Sequence, residues 1–425
     1  MKALFSFVGV LLVFQLHAQK VDCSLKVKEY QSLIHESKWN EAYTAWNVVR
    51  NNCPKENESL YTEGLQILNY KIDNESNPEA KELAVRDALK LYDQYAINYP
   101  LAIPNYQALK AMLLVSNKMG TPEEIFSLLD SCWIKNTTTI TDALTIYTYF
   151  NLYYQKYNTD SKVVNAAMLL DKYMHITLVL NTLETTNPVQ INEYEAAERN
   201  CHNLVKELLT CDFLSEYFEK NFAEQKENAD WLSSALSTFT VKCGGLPLYY
   251  ALAEANYKAK RTTKSAYYFG IANTKIRKFD EAIQYFIEAE ELETNPVEKA
   301  KLDYSLATGL LSSDKSKAKA LVIKAATLDP KMGKAYIYLA ELYANSAEEC
   351  GTNDIEKKTI YYLAAETLKK AVTMEPRLKI TAEKMAEKYT AKILTEKEIT
   401  SKKLNGKTIK IGCWINDSIT FPAKK

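Results

Sequence analysis

Between Thr263 and Pro296 the apolar and small residues return every three or four positions, pause once, and return again. Ala266, Phe269 and Gly270 make the first set and Ala282, Phe286 and Ala289 the second, with Pro296 closing the unit. Such spacing predicts two helices, each with one buried face. The pattern recurs downstream. From Lys299 to about Met332, Ala318, Val322 and Ala325 hold the second-helix positions before Pro330. From Gly333, Tyr336, Leu339, Ala340 and Tyr343 mark a first helix, and Ala364, Leu368 and Ala371 a second that ends at Pro376, with an insertion between them. Ala229 to Thr262 is a worn copy upstream. At the other end, Cys23 to Pro54 carries Leu33, Ala42, Trp46 and Val49, and the next unit carries Leu60, Gly64, Ile67, Ala88, Tyr92 and Tyr95 before Pro100, with an insertion around Asn74 to Pro78. Residues 105–228 have helical spacing, as in Ala166, Leu169, Leu170, Tyr173 and Met174, but no clean repeat register.

The end of the chain changes period. Ile409, Ile411, Cys413 and Ile415 alternate, Asn416-Asp417 offers a turn, and Ser418 to Phe421 returns. A short β-hairpin is predicted there, serving as a cap on the last helix or as an edge for a partner strand.

The large-and-small alternation across paired helices resembles the tetratricopeptide repeat family, most clearly over 229–376. The chain is similar in particular to exported members from Gram-negative bacterial envelopes, which have an early cysteine and a terminal Gly-Cys-Trp-Ile, here Gly412 to Ile415. The resemblance implies an all-α fold, an α-solenoid of antiparallel helix pairs. The expected segments are 1–19 (signal peptide), 20–104 (repeat-like pairs), 105–228 (a divergent helical block), 229–395 (a C-terminal array) and 396–425 (the tail).

Composition sharpens this picture. Eleven glycines and eleven prolines in 425 residues are few for a protein of many tight turns, which favours helices. Lys2, the apolar run Ala3 to Phe14, and Ala18-Gln19 read as a secretory signal cut near residues 18–19. The run is too short to span a bilayer, and Asp22 beside Cys23 argues against lipidation, so a periplasmic or secreted, non-membrane-spanning chain is expected. With 53 basic and 53 acidic side chains the net charge is zero, which disfavours nucleic-acid binding.

Eight cysteines in an exported chain point to disulfides. The ends of an antiparallel hairpin lie side by side, so Cys23–Cys53 and Cys211–Cys243 are the expected bridges. Cys350–Cys413 would pin the tail to the last repeat. Cys132 and Cys201 are paired only by elimination, and eight cysteines admit about a hundred connectivities.

Little in the sequence points to catalysis. Outside the signal the histidines are His35, His175 and His202, with no HExxH, no GxSxG and no Gly-rich phosphate loop. Cys201-His202 with Cys211 lacks zinc-site spacing. No metal, cofactor or catalytic residue is assigned.

In the family, the first helix of each pair faces a groove. That implies partner contacts at Lys264, Tyr267, Ile271 and Thr274, then Asp303, Ala307 and Leu310, then Lys334, Ile337 and Glu341. The mixed charge and apolar character suits an extended peptide or a helix of a protein partner in the envelope. The alternative is a glycan-binding protein that assists outer-membrane uptake, stacking sugars on Trp133, Trp231 or Trp414.

Overall fold

The computed structural model describes residues 21–309 and 314–423, without the side chains of 240–242. The predicted signal sequence and Leu310 lie outside the described residues. The architecture is all-α, an α-solenoid of antiparallel helix pairs of the tetratricopeptide kind, finished by a two-stranded C-terminal sheet. Two compact units divide at Val205/Lys206.

The first unit contains α1 (Cys23–His35), α2 (Trp39–Asn52), α3 (Ser59–Asn74), α4 (Pro78–Asn98), α5 (Tyr106–Ser116), α6 (Pro122–Lys135), α7 (Ala143–Thr159), α8 (Ala166–Thr186) and α9 (Ile191–Val205). The first six form three hairpins, and α7, α8 and α9 pack as a trio. The trio explains why the middle of the chain shows no two-helix register. The expected insertion around Asn74 to Pro78 is extra helix instead: α4 runs 21 residues, and only 75–77 link it to α3.

Asp22, which argues against lipidation in the sequence, caps α1 by accepting the Leu25 backbone N–H at 3.0 Å. Asn77 caps α4 and Thr121 caps α6, each followed by proline at the first helical position, where no backbone N–H is needed.

Trp46 organises the first core. Its side chain is fully buried, and its indole N–H donates to the Leu60 carbonyl at 2.8 Å. Gly64 on α3 lies directly against the ring, so any Cβ there would fall inside it.

The second unit contains α10 (Cys211–Gln225), α11 (Ala229–Cys243), α12 (Pro247–Ala259), α13 (Thr263–Lys275), α14 (Phe279–Leu292), α15 (Pro296–Gly309), α16 (Lys315–Leu328), α17 (Gly333–Asn345), the single turn α18 (Ala347–Cys350), α19 (Asp354–Met374), α20 (Lys379–Thr390) and α21 (Glu396–Ser401). The pairs α13–α14, α15–α16 and α17–α19 are the three best-packed hairpins. Gly270 plays the part of Gly64: a Cβ there would sit 2.9 Å from the Phe286 ring.

Strands β1 (Thr408–Ile411) and β2 (Asp417–Thr420) pair antiparallel, with Ile409 opposite Ile419. They pack on α19, and Ile411 and Ile415 enter the core of the last repeats. Lys319 on α16 donates to the Ile415 carbonyl at 2.5 Å, and the Tyr343 hydroxyl on α17 bonds Asp417 at 2.9 Å.

Three disulfides form: Cys23–Cys53, Cys211–Cys243 and Cys350–Cys413, with Cα separations of 6.3, 5.5 and 5.4 Å. The first two close loops of about 30 residues, each worth roughly 3 kcal/mol in the chain-entropy account. Cys132 and Cys201 are not joined. They sit on α6 and α9, both buried and both free thiols, and Cys132 is 3.8 Å from the Thr139 hydroxyl. Elimination failed because a small apolar thiol is a normal core residue and needs no partner.

The hairpin turns share one device. Ser37, Lys118 and Arg277 take positive φ of 58°, 54° and 64° just past α1, α5 and α13. In each turn this residue and the next donate backbone N–H bonds into the last turn of the helix, as Arg277 does to Thr274 and Lys278 to Asn273. None of the three is glycine.

Two stability outcomes follow. Arg277→Gly relieves a left-handed residue and is expected to stabilise by about 0.5–1 kcal/mol after the entropy cost of glycine, read as a higher thermal midpoint. Gly64→Ala forces the Trp46 ring aside and is expected to cost about 1–3 kcal/mol in chemical denaturation with the disulfides intact.

Candidate functional site

The face predicted for partner binding runs along α13, α15 and α17. Its register is set by burial. On α13, Ser265, Ala266, Phe269 and Gly270 point inward, leaving Lys264 exposed and Tyr267 and Ile271 half-buried beside it. On α17, Ala335, Leu339 and Ala340 are buried, and Lys334, Ile337 and Glu341 occupy the matching outer positions. Thr274 is also half-buried, and its hydroxyl donates to the Gly270 carbonyl at 2.9 Å within its own helix.

The middle helix corrects the sequence reading. Leu302, Asp303, Leu306 and Ala307 are the inward set of α15, so Asp303 and Ala307 do not line the face. Lys301, Tyr304 and Thr308 hold the outer positions instead. The register expected from the family falls two residues late on this helix. Ala300 and Ala307, small and a helical heptad apart, were the available clue to the true inner side.

With this register, three successive first helices place a lysine at the same point: Lys264, Lys301 and Lys334. The helices are physically coupled there. The Lys334 ammonium lies 4.7 Å from the Tyr304 ring centre, a cation–π contact between α17 and α15. Tyr304 and Tyr338 rings meet edge to face at 6.0 Å. Lys301 pairs with Glu298 at 2.7 Å on the exposed surface, a contact of little energetic weight. Tyr267 packs on Phe286 with ring centres 5.7 Å apart, and Ile271 and Ile337 rest against the core with their outer edges accessible.

Beneath the face lies a buried charge cluster. Asp303 is 1% exposed and bonds Lys324 through one oxygen at 3.2 Å, while its other oxygen is buried without a partner. Lys324 and Lys299 also share Glu290, at 3.2 and 3.3 Å. Burial pushes the Asp303 carboxyl above the usual carboxylate range, with Lys324 and Lys299 opposing and Glu290 adding to the rise.

The residues considered for chemistry are engaged elsewhere. Burial pushes the Cys201 thiol up to about 12, which keeps it protonated and a poor nucleophile. His202 shares a 3.1 Å hydrogen bond with the Tyr173 hydroxyl. Cys211 is consumed in its disulfide. Among the described residues, Glu56 and Glu349 each lie near a cysteine pair with metal-ligand spacing, but both pairs are disulfides and offer no thiolate.

Of the candidate sugar platforms, Trp133 is closed off at 3% exposure, whereas Trp231 and Trp414 are half-buried, the first meeting Phe218 edge-on at 5.5 Å and the second packing on Tyr343 with ring centres 6.0 Å apart.

No family model matches the chain, and no curated protein matches it. Among solved structures it is similar to yeast Tom70, with 12% identity and a TM-score of 0.28 over 87% of this chain and 96% of that one. It is also similar to Naa15/Naa10 bound to HypK-THB, with 13% identity and a TM-score of 0.24 over 87% of this chain and 66% of that one. Superpositions this loose carry nothing about partners, and the repeat assignment rests on the chain's own packing. Among the described residues no helix is long and apolar enough to cross a membrane.

The raised Asp303 pKa fixes a pH dependence. The folded state holds this proton more tightly than the unfolded state, so the contribution to stability is full below the ordinary carboxylate pKa. It is lost as pH rises through the folded value. The thermal midpoint of Asp303→Asn, measured from pH 4 to 7, is therefore expected to gain on the native chain as pH increases.

Proposed function

We propose that this chain is a non-catalytic exported scaffold that binds a protein partner of the cell envelope through the α13–α15–α17 face. The observation that carries the reading is the matched series Lys264, Lys301 and Lys334, flanked by Tyr267, Tyr304 and Ile337. Repetition of one cation and one apolar group on successive helices suits a ligand that is itself periodic, an extended peptide or a helix with acidic side chains. Rings and aliphatic groups that are half-buried already have restricted rotamers and lose little entropy on contact.

The export part of the reading is supported by the N-terminal pattern and by three disulfides, which persist in oxidising compartments. The expected division at 20–104, 105–228 and 229–395 remains a proposal about how these functions are shared along the chain.

Cross-linking mass spectrometry on intact source cells, with native chain and a Lys264→Glu/Lys301→Glu/Lys334→Glu variant as baits, tests the reading. One envelope protein cross-linked near this face, with recovery reduced about tenfold or more in the variant, is the expected outcome, a loss of about 1.4 kcal/mol or more. Equal recovery by both baits would sink it.

A further inference from the structure

A different surface carries an independent inference. In the first unit a cleft of about 630 Å³ opens between α2 and α4, the second helices of consecutive hairpins. We propose that this cleft binds a sugar bearing a carboxylate or a phosphate.

Arg50 forms its floor. The side chain is 6% exposed, stacks 4.9 Å from the Trp46 ring centre, and is locked by Gln94 through Nε at 2.7 Å and by Asp87 through a terminal nitrogen at 2.8 Å. A guanidinium has five N–H donors, so the lock leaves three without a protein acceptor among the described residues. Tyr43 braces the same carboxylate from the other side at 3.2 Å. An arginine held this rigidly is pre-organised for an oxyanion and loses little freedom on binding.

Two further cations line the cleft with no carboxylate partner among the described residues: Lys71, 3.7 Å from the Tyr43 ring centre, and the exposed Lys90 on α4. The cations of the lining, Arg86 included, outnumber its acids, Asp87 and Glu75, in a chain whose net charge is zero. Arg86 is neutralised by Glu124 at 2.6 Å. Asp87 is paired with Arg50, so Lys71 and Lys90 stand against the one remaining acid, Glu75, a net excess of one positive charge that an anion would satisfy.

The remaining polar lining reads hydroxyls. Asn47 and Asn51 present carboxamides, each with both donor and acceptor, which match adjacent hydroxyl groups, and Gln94, whose oxygen accepts from Arg50, adds its amide N–H donors. A bare inorganic anion would leave those acceptors unused. An apolar ligand would strand the amides and amines against it. The cleft volume falls in the range of ordinary small-ligand sites, about 300–1,000 Å³.

The test uses the full disulfide-bonded chain and titration calorimetry, with galacturonic acid oligomers, glucose 6-phosphate, glucose and inorganic phosphate as probes. Saturable binding of at least one acidic sugar, at least fivefold tighter than glucose and inorganic phosphate, is expected. It should weaken fivefold or more in Lys71→Gln/Lys90→Gln, whose thermal midpoint should fall only slightly, by the loss of the Lys71–Tyr43 contact. Asn51→Ala should lower affinity for the sugar but not for inorganic phosphate. No saturable binding of either acidic probe, equal binding of glucose, equal binding of inorganic phosphate, or unchanged affinity in the double variant would each overturn the proposal.

Discussion

The fold depends on the fit of one large ring against a residue with almost no side chain. Trp46 lies on Gly64 and Phe286 on Gly270, and in both cases the helices meet at a separation that any added methyl would prevent. Helices of 13 or 14 residues are marginal alone in water. They persist here because each hairpin buries its face against the next. The rings supply area, and the glycines let the backbones close over it. The Trp46 indole also ties α2 to α3 through Leu60, so the first two hairpins cannot slide past one another without exposing a buried donor.

That packing also explains which features were legible beforehand. The proline-bounded unit from Thr263 to Pro296 was visible because its small and large residues alternate without interruption. The hairpin bridges Cys23–Cys53 and Cys211–Cys243 follow from the geometry of any antiparallel pair. The face was only partly legible. Asp303 is buried although burying a carboxylate costs free energy, and nothing in a linear pattern shows that Lys324 meets it from the next helix. The α7–α8–α9 trio hid for a different reason: a third helix breaks the two-helix period while keeping the spacing of each helix. The turns escaped notice because left-handed positions are normally signalled by glycine, and here Ser37, Lys118 and Arg277 occupy them.

The polar interior is organised by few residues. Arg50, Asp87, Gln94 and Tyr43 form one closed group in the first unit, and Asp303, Lys324, Glu290 and Lys299 another in the second. Each spans helices of more than one hairpin, so each fixes relative rotation as well as contact. The first holds its arginine rigidly through two hydrogen bonds. The second retains an oxygen without a partner and is the more sensitive to its surroundings. Both lie beneath the surfaces proposed to bind.

The C-terminal hairpin has a consequence for assembly. A row of stacked helix pairs has no natural last member, because the outer side of the final pair resembles every inner side. Here that side is occupied: Ile411 and Ile415 fill it, Phe421 joins Leu394 and Ile399 in a small core of its own, and Cys350–Cys413 anchors the strand to the helices. The chain thereby supplies its own terminus. A second copy arriving end-on would meet the hairpin and its disulfide there in place of an open apolar groove.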